Sequence, residues 1–300
     1  MNTEQLARFQ TAKNKIENQD FGAATDILLD LYDEVDENQV VLLLGETLFN
    51  DHKFVSASRL VDNHLLIFLQ DNFALLTKIY LKNHRYLQLQ IIADGQNEKI
   101  KHELLSKIKQ SEAEYENNEP TTIASKSREF MHLGAFSATR QREVISEAET
   151  LPLQKYVAGV RLNLLDQDVN PVWRMQLLNN LMRMGFNKSV DFIWIDDTKH
   201  SIIPKSALDI EQTKAFQKMQ RVIDETIGQE DPIIAAQLQV VVNVDLQLLF
   251  PYIDKIVINP EIWLATIKQK MFGDLSKPID DKDVLKWLSL IDLIMQTLTN

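Results

Sequence analysis

The 300-residue sequence contains no cysteine, and glycine and proline occur only eight times each. The absence of cysteine excludes a disulfide framework, a thiolate metal site and a cysteine nucleophile. The scarcity of glycine and proline favours long helices joined by brief turns. Because 45% of the residues are hydrophobic, the chain is able to bury a large core and to form more than one typical domain.

Long apolar runs are missing as well. The longest, such as Val40–Leu44 and Val240–Val242, fall far short of the roughly 20 residues that span a bilayer. Residues 1–20 carry no apolar core of the kind found in signal peptides, so we expect a cytoplasmic protein with no membrane partner. The net charge of −11 argues against nonspecific nucleic-acid binding, because lysine and arginine drive that binding by neutralising phosphates.

Local motifs for catalysis or cofactor binding are absent. There is no glycine-rich phosphate loop, no Gly-x-Ser-x-Gly, and no pair of histidines at metal-binding spacing. Asp196-Asp197 is typical of a turn, and Asp280–Asp283 is typical of a helix N-cap. We therefore expect a protein that is not an enzyme and has no cofactor or metal, although a centre assembled from distant residues stays open at this point.

A short phrase recurs three times within the first hundred residues. Its aromatic residue is Phe21, then Phe54, then Tyr86, at spacings of 33 and 32 positions. A period of about 34 residues is typical of helix-turn-helix repeats that stack into a solenoid. Ala24 and Ala57 follow the first two aromatics by one helical turn, where a small side chain lets two helices approach closely.

These positions resemble the tetratricopeptide (TPR) repeat, here in a bacterial protein. The matching residues are Ala12, Phe21 and Ala24 in the first repeat, Leu44, Gly45, Phe54 and Ala57 in the second, and Tyr80 and Tyr86 in the third. Thr77 and Leu89 stand where the family usually has small residues, and the proline that often closes a repeat is missing from all three. The resemblance covers about a third of the chain, and the alternative is an unrelated array of helical hairpins.

The resemblance implies a partner-binding groove, because the first helix of each TPR repeat lines a concave surface that takes peptides or helices. The expected groove residues are Phe9, Lys13, Leu42, Glu46, Phe49, Lys78 and Leu81. Only Lys13 and Lys78 are basic and Glu46 lies between them, so an acidic C-terminal peptide is not the expected ligand. Leu42 and Phe49 favour an amphipathic helix laid into the groove, and the alternative is that both belong to the inter-repeat core.

The pattern divides the chain near residue 120. Glu98–Glu116 is rich in helix formers and predicts a capping helix, and Asn117–Thr122, with Pro120, predicts a linker. Residues 1–120 are therefore expected to form the TPR-like domain with its capping helix. Residues 121–300 are expected to form a second helical-repeat domain.

The second half shows three further signals. Leu164-Leu165-Asp166, an acidic turn and Val172-x-Arg174 resemble a single HEAT-type repeat, which implies that Arg174 pairs with Asp166 or Asp168. Alternation of apolar residues predicts a β-hairpin near 190–203, with Phe192 and Trp194 packed on the helices. Beyond it the capping pattern predicts helices near 206–228, 231–248, 259–273 and 281–298.

Together these signals predict an all-α repeat solenoid with one small β-hairpin. The preferred function is a non-enzymatic adaptor or scaffold that binds a protein partner, either basic or an amphipathic helix, in the TPR-like groove. The alternative is a homo-oligomeric structural protein that assembles through its C-terminal helix and hairpin. An RNA-binding repeat protein would need a basic strip, and the best candidate, residues 126–142, is modest in an acidic chain.

Overall fold

A computed structural model describes residues 1–273 and 281–298 of the chain. Within these ranges the fold is all-α apart from one two-stranded antiparallel sheet, as the sequence predicts. The chain divides into two compact units, Met1–Asn118 and Glu119–Asn300.

The Met1–Asn118 unit consists of helical hairpins in chain order. Its helices are α1 (Thr3–Glu17), α2 (Phe21–Glu34), α3 (Asn38–Asn50), α4 (Phe54–Asn63), α5 (Leu65–Asp71), α6 (Phe73–Lys82), α7 (Tyr86–Asp94) and α8 (Glu98–Asn118). The pairs α1–α2, α3–α4 and α6–α7 form three hairpins, and α8 packs against α6 and α7. The second helix of each hairpin begins at the repeated aromatic residue.

The turns of the three hairpins have the same geometry. The residue two positions before each aromatic has a positive φ, 59° at Gln19, 58° at His52 and 54° at His84. The next residue donates its backbone N–H to a carbonyl five residues back, at 2.9 Å in all three turns. This pattern is the Schellman motif, in which a left-handed residue ends one helix and satisfies its last carbonyls. The sequence period therefore corresponds to a repeated local structure.

Helix α5 is an element that the sequence pattern does not predict. Leu60, Val61, Leu65 and Phe68 have the spacing of one continuous helix, but the backbone leaves the helical region at His64, which accepts or donates a hydrogen bond with the Tyr32 hydroxyl at 2.7 Å. The spacing of these residues predicts one partner helix for α3, and the structure contradicts it with two helices, α4 and α5. The break lets the fully buried Phe68 ring fill the space beside Gly45.

The prediction of a linker at Asn117–Thr122 is also wrong. Helix α8 continues to Asn118, and the next helix, α9 (Pro120–Met131), begins two residues later with proline in its first turn. Proline is well suited to that position because the first N–H groups of a helix have no intrahelical partner. Pro120 therefore starts a helix here, and only Glu119 separates the two elements.

The Glu119–Asn300 unit contains the remaining helices and the hairpin. After α9 come α10 (Ala138–Ala148), α11 (Leu153–Asn163), α12 (Pro171–Arg183), β1 (Val190–Ile193), β2 (Lys199–Ile202), α13 (Lys214–Val222), α14 (Gly228–Glu230), α15 (Pro232–Leu249), α16 (Ile253–Ile256), α17 (Pro260–Phe272) and α18 (Lys282–Gln296). A π-helical stretch, Ile223–Ile227, joins α13 to α14. The helix predicted near 206–228 starts later because 3-10 turns occupy Pro204–Ser206 and Ile210–Gln212.

Side-chain caps fix the starts of the last three long helices. Asp231 caps α15, Asn259 caps α17 and Asp281 caps α18, each by accepting backbone N–H groups of the first turn. Asp280, which the sequence also placed in the last cap, lies outside the described residues.

Arg174 bonds to Asp166, one of the two partners that the HEAT-type resemblance implies, through the backbone of that residue. Its side chain is 1% exposed, and Nη1 donates to the backbone carbonyl of Asp166 at 3.0 Å. The nearest carboxylate is that of Asp197, in the hairpin turn, 4.0 Å from Nη2. The expected partner Asp166 is therefore confirmed, but Arg174 bonds to its backbone carbonyl and not to its carboxylate. Burial lowers the pKa of Arg174, and the charges of Asp197 and Asp166 oppose that effect.

Candidate partner-binding groove

The seven expected groove residues lie on the first helices of the three hairpins. Phe9 and Lys13 are on α1, Leu42, Glu46 and Phe49 on α3, and Lys78 and Leu81 on α6. The α3 residues are spaced four and three apart, so they share one helix face. On that face Glu46 is exposed, while Leu42 and Phe49 are half-buried.

Of the two expected groove residues on α1, Phe9 has mainly a structural role. Phe9 is only 4% exposed and belongs to the hairpin core. Lys13 is exposed, and its Nζ lies 4.8 Å from the centroid of the Phe9 ring, where the positive charge is attracted to the ring face. A partner on this side would therefore meet Lys13 first.

Phe49 packs within the hairpin array. Its ring lies 5.4 Å from the Phe54 ring in an edge-to-face arrangement, and Lys82 of α6 places Nζ 4.9 Å from the Phe54 centroid. Asn83 donates to the Phe54 carbonyl at 2.9 Å. The Lys82 and Asn83 contacts join the second hairpin to the third through Phe54, and Phe49 packs against Phe54 within its own hairpin.

A concave site lies between α6 and α8. It encloses about 300 Å³ and is lined by Phe73, Ala74 and Thr77 of α6 and by Ile100, Glu103, Leu104 and Lys107 of α8. The buried Leu104 and Thr77 form its floor, and an ion pair between Glu103 and Lys107 at 2.7 Å lies at its rim. Leu81, one helical turn after Thr77, continues this side of α6.

An aromatic contact holds α8 in place beside the third hairpin. The His84 ring, in the αL turn, stacks on the Tyr115 ring of α8 with centroids 3.7 Å apart. The Tyr86 hydroxyl lies 3.2 Å from both oxygens of Ser111, and burial raises the pKa of Tyr86 to about 12. The cavity wall formed by α8 is thus fixed by packing that does not involve the cavity residues.

The α8 side of this cavity is the part of the site that sequence reasoning missed. The stripe of Leu104, Leu105 and Ile108 predicts an apolar side for the helix. It does not predict that Ile100 and Glu103, on the flank of that stripe, face the first helix of the third hairpin. That juxtaposition follows from how α8 packs on α6 and α7.

The β-hairpin packs as predicted and exposes few of its aromatic groups. Val190 pairs with Ile202 and Ile193 with Lys199. The Phe192 and Trp194 side chains are buried, and Trp194 Nε1 donates to the Phe250 carbonyl at 3.0 Å. The hairpin therefore has a clear structural role in the second unit.

A buried carboxylic acid lies inside the second unit. Asp245 of α15 is 3% exposed and accepts a hydrogen bond from Trp263 Nε1 at 3.0 Å. Burial raises the pKa of Asp245 to about 7, while the hydrogen bond from Trp263 and the charge of Lys270 oppose the increase.

Two general features bear on other kinds of site. Among the described residues, no group of three or more histidine, aspartate or glutamate side chains is arranged to hold a metal ion. Among the helices that the structure describes, one, Pro232–Leu249, is long and apolar enough to cross a membrane by length and composition. In this fold it packs against α12 and α17 and buries Leu238, Val242 and Leu246.

No protein-family model, no curated protein and no solved structure matches this chain. The TPR and HEAT resemblances therefore stay predictions from the sequence.

Proposed function

We propose that the protein is a cytoplasmic, non-enzymatic adaptor that binds a protein partner along the first-helix surface of residues 1–118. This surface comprises Leu42 and Glu46 on α3, Lys78 and Leu81 on α6, and the α6–α8 cavity. The observation that carries the proposal is the hairpin that occurs three times with the same turn geometry, which places three first helices in series. Such arrays act through the surfaces that they present.

Binding would use a few apolar anchors on a preformed surface. Leu42 and Leu81 are half-buried against neighbouring residues of the same chain. A partner therefore completes their burial at a small cost in side-chain entropy. A cavity of about 300 Å³ has the volume to take an apolar side chain of an amphipathic helix.

Charge favours a partner with basic residues near α3. Glu46 is exposed in the middle of the α3 face. Acidic residues also outnumber basic ones in residues 1–118, so a basic partner approaches with favourable electrostatics. Glu46→Lys is accordingly expected to weaken binding, with the larger effect at low salt.

The test is affinity capture from the source cell's lysate. The wild type, a Leu42→Asp, Leu81→Asp variant and a Val55→Asp control are immobilised at equal density after their helicity is compared by circular dichroism. Val55 is 61% exposed on the second helix of its hairpin, so it tests a surface charge placed outside the first-helix surface. We expect a stoichiometric partner to be lost with the double variant only. Equal recovery by all three proteins would refute the groove assignment.

A further inference from the structure

The outward face of α15 differs from a typical surface helix. Ile233 and Val240 are 72% and 64% exposed. Over all 18 residues the helix has one ionisable side chain, Asp245, and that side chain is buried against Trp263. The residues on this face are here named the α15 stripe; Ile233, Ala236, Gln237, Val240 and Asn243 are exposed, and Val244 and Gln247 are half-buried.

A charge-free stripe of this length indicates a contact surface. Helices on protein surfaces normally present charged residues opposite their apolar face. At 1.5 Å per residue, the stripe extends over about 20 Å. Its apolar residues lie on one helix face with neutral amide side chains between them, and apolar groups gathered on one face mark interaction sites more often than scattered single ones.

The residues of the stripe match one another about Val240. In an antiparallel pairing of two copies centred on this residue, Val240 meets Val240 and Ala236 meets Val244. Gln237 meets Asn243, so each amide finds another amide that both donates and accepts hydrogen bonds. In one copy, Gln239 Nε2 donates to the Asn243 Oδ1 at 2.9 Å, which orients that side chain on the stripe.

We propose that two copies of this chain associate through the α15 stripe as an antiparallel, two-fold symmetric pair. A two-fold interface brings the same patch of both copies together; this patch is self-complementary from Ala236 to Val244, with Ile233 facing Gln247 at each end, and it lacks like charges that would repel. The antiparallel arrangement also opposes the two helix dipoles favourably.

The surrounding charges favour a second copy over a lipid surface. No lysine or arginine occurs between Arg221 and Lys255, and the segment before the helix carries Asp224, Glu225, Glu230 and Asp231. Helices that lie on membranes normally have lysine and arginine on their polar side, which anionic lipids attract. This helix instead has an acidic approach and a neutral polar side.

The expected association is weak, because one helix pair buries less area than a standard interface of about 800 Å² per partner. Sedimentation velocity of the full chain from about 1 to several hundred micromolar should show the mass rise from 34.6 kDa toward twice that value. Val240→Asp places two like charges at the symmetry axis and should remain monomeric throughout. Leu293→Asp, on the 61% exposed Leu293 of α18, is the matched control and should dimerise like the wild type.

Cysteine cross-linking tests the register, because the natural chain has no cysteine. Val240→Cys should give a disulfide-linked dimer on mild oxidation, whereas Ile233→Cys alone should give little. Combining Ile233→Cys with Gln247→Cys should restore cross-linking, since these positions meet across the axis. Leu293→Cys is the control for random collision.

Several results would overturn the proposal. These are a single monomeric mass at every concentration, or cross-linking of Val240→Cys no faster than that of Leu293→Cys. Dimerisation that survives Val240→Asp would place the interface elsewhere. Flotation of the monomer with vesicles containing phosphatidylserine, abolished by Val240→Asp, would identify a lipid surface as the occupant instead.

Discussion

Replacing Asp245 with asparagine should make the second unit more stable at pH 8 and change its response to pH. The carboxyl is enclosed by the packed helix α15 and receives one hydrogen bond, from Trp263 Nε1. Asparagine has nearly the same shape and retains an oxygen for that bond. It removes the charge that burial makes unfavourable.

The magnitude follows from the pKa of the carboxyl. Burial raises it to about 7 in the folded state, against an ordinary value of 3.8. Between these values the folded state holds a proton that the unfolded state releases, so the free energy of unfolding falls as the pH rises through this window. The loss is complete above the folded-state pKa and corresponds to about 4 kcal/mol. The free energy of unfolding of Asp245→Asn relative to the wild type should therefore be about 4 kcal/mol larger at pH 8 than at pH 4.

Tryptophan fluorescence during urea unfolding measures this difference in the relevant unit. All four tryptophans, at positions 173, 194, 263 and 287, lie in the Glu119–Asn300 unit. Glu230→Gln is the control, because Glu230 is an exposed carboxylate of the same unit. It should show no comparable gain at pH 8. If Asp245→Asn differs from the wild type by the same amount at both pH values, the carboxyl does not titrate as its burial indicates.

Three further changes test the packing. Gly45→Ala should destabilise the first unit by about 1–3 kcal/mol, seen by circular dichroism, because a Cβ there would lie 2.7 Å from the Phe68 ring; no loss would mean that Phe68 moves freely. His52→Gly should stabilise the same unit by about 1 kcal/mol because it relieves a left-handed backbone, and a loss would refute that reason. Trp194→Phe should cost the second unit about 1–3 kcal/mol in urea unfolding because the Phe250 carbonyl loses its donor; an unchanged midpoint would contradict this.

The features that the sequence predicts well are those with a local cause. Phe21, Phe54 and Tyr86 each begin a second helix, because the turn before them is a short-range motif. The β-hairpin near 190–203 is confirmed, since alternation of apolar residues is also a short-range signal. Asp231 and Asn259 cap their helices as predicted.

The predictions that fail depend on contacts between distant residues. The break at His64 interrupts a continuous apolar pattern. It is explained by the packing of Phe68 against Gly45 and by the hydrogen bond between His64 and Tyr32. The Asp197 carboxylate lies near Arg174 because of where the hairpin packs.

The candidate site also has one part that the local sequence predicts and one part that depends on contacts between distant residues. The exposed face of α3 follows from helical spacing, so Leu42 and Glu46 are predictable from sequence. The cavity between α6 and α8 is not, because nothing in the local pattern of Ile100 or Glu103 specifies which helix lies beside them. Its position depends on the aromatic contacts that fix α8.

The most direct test of partner binding is photo-cross-linking from single positions on the first unit. A benzophenone amino acid replaces Glu46 on the first-helix surface or, as the control, Val55 on a second helix. Both sites are exposed, so both tolerate the probe. After irradiation in the source cell's lysate, we expect one discrete protein adduct from position 46 and none from position 55. Adducts of equal yield from both positions, or from position 55 alone, would contradict it.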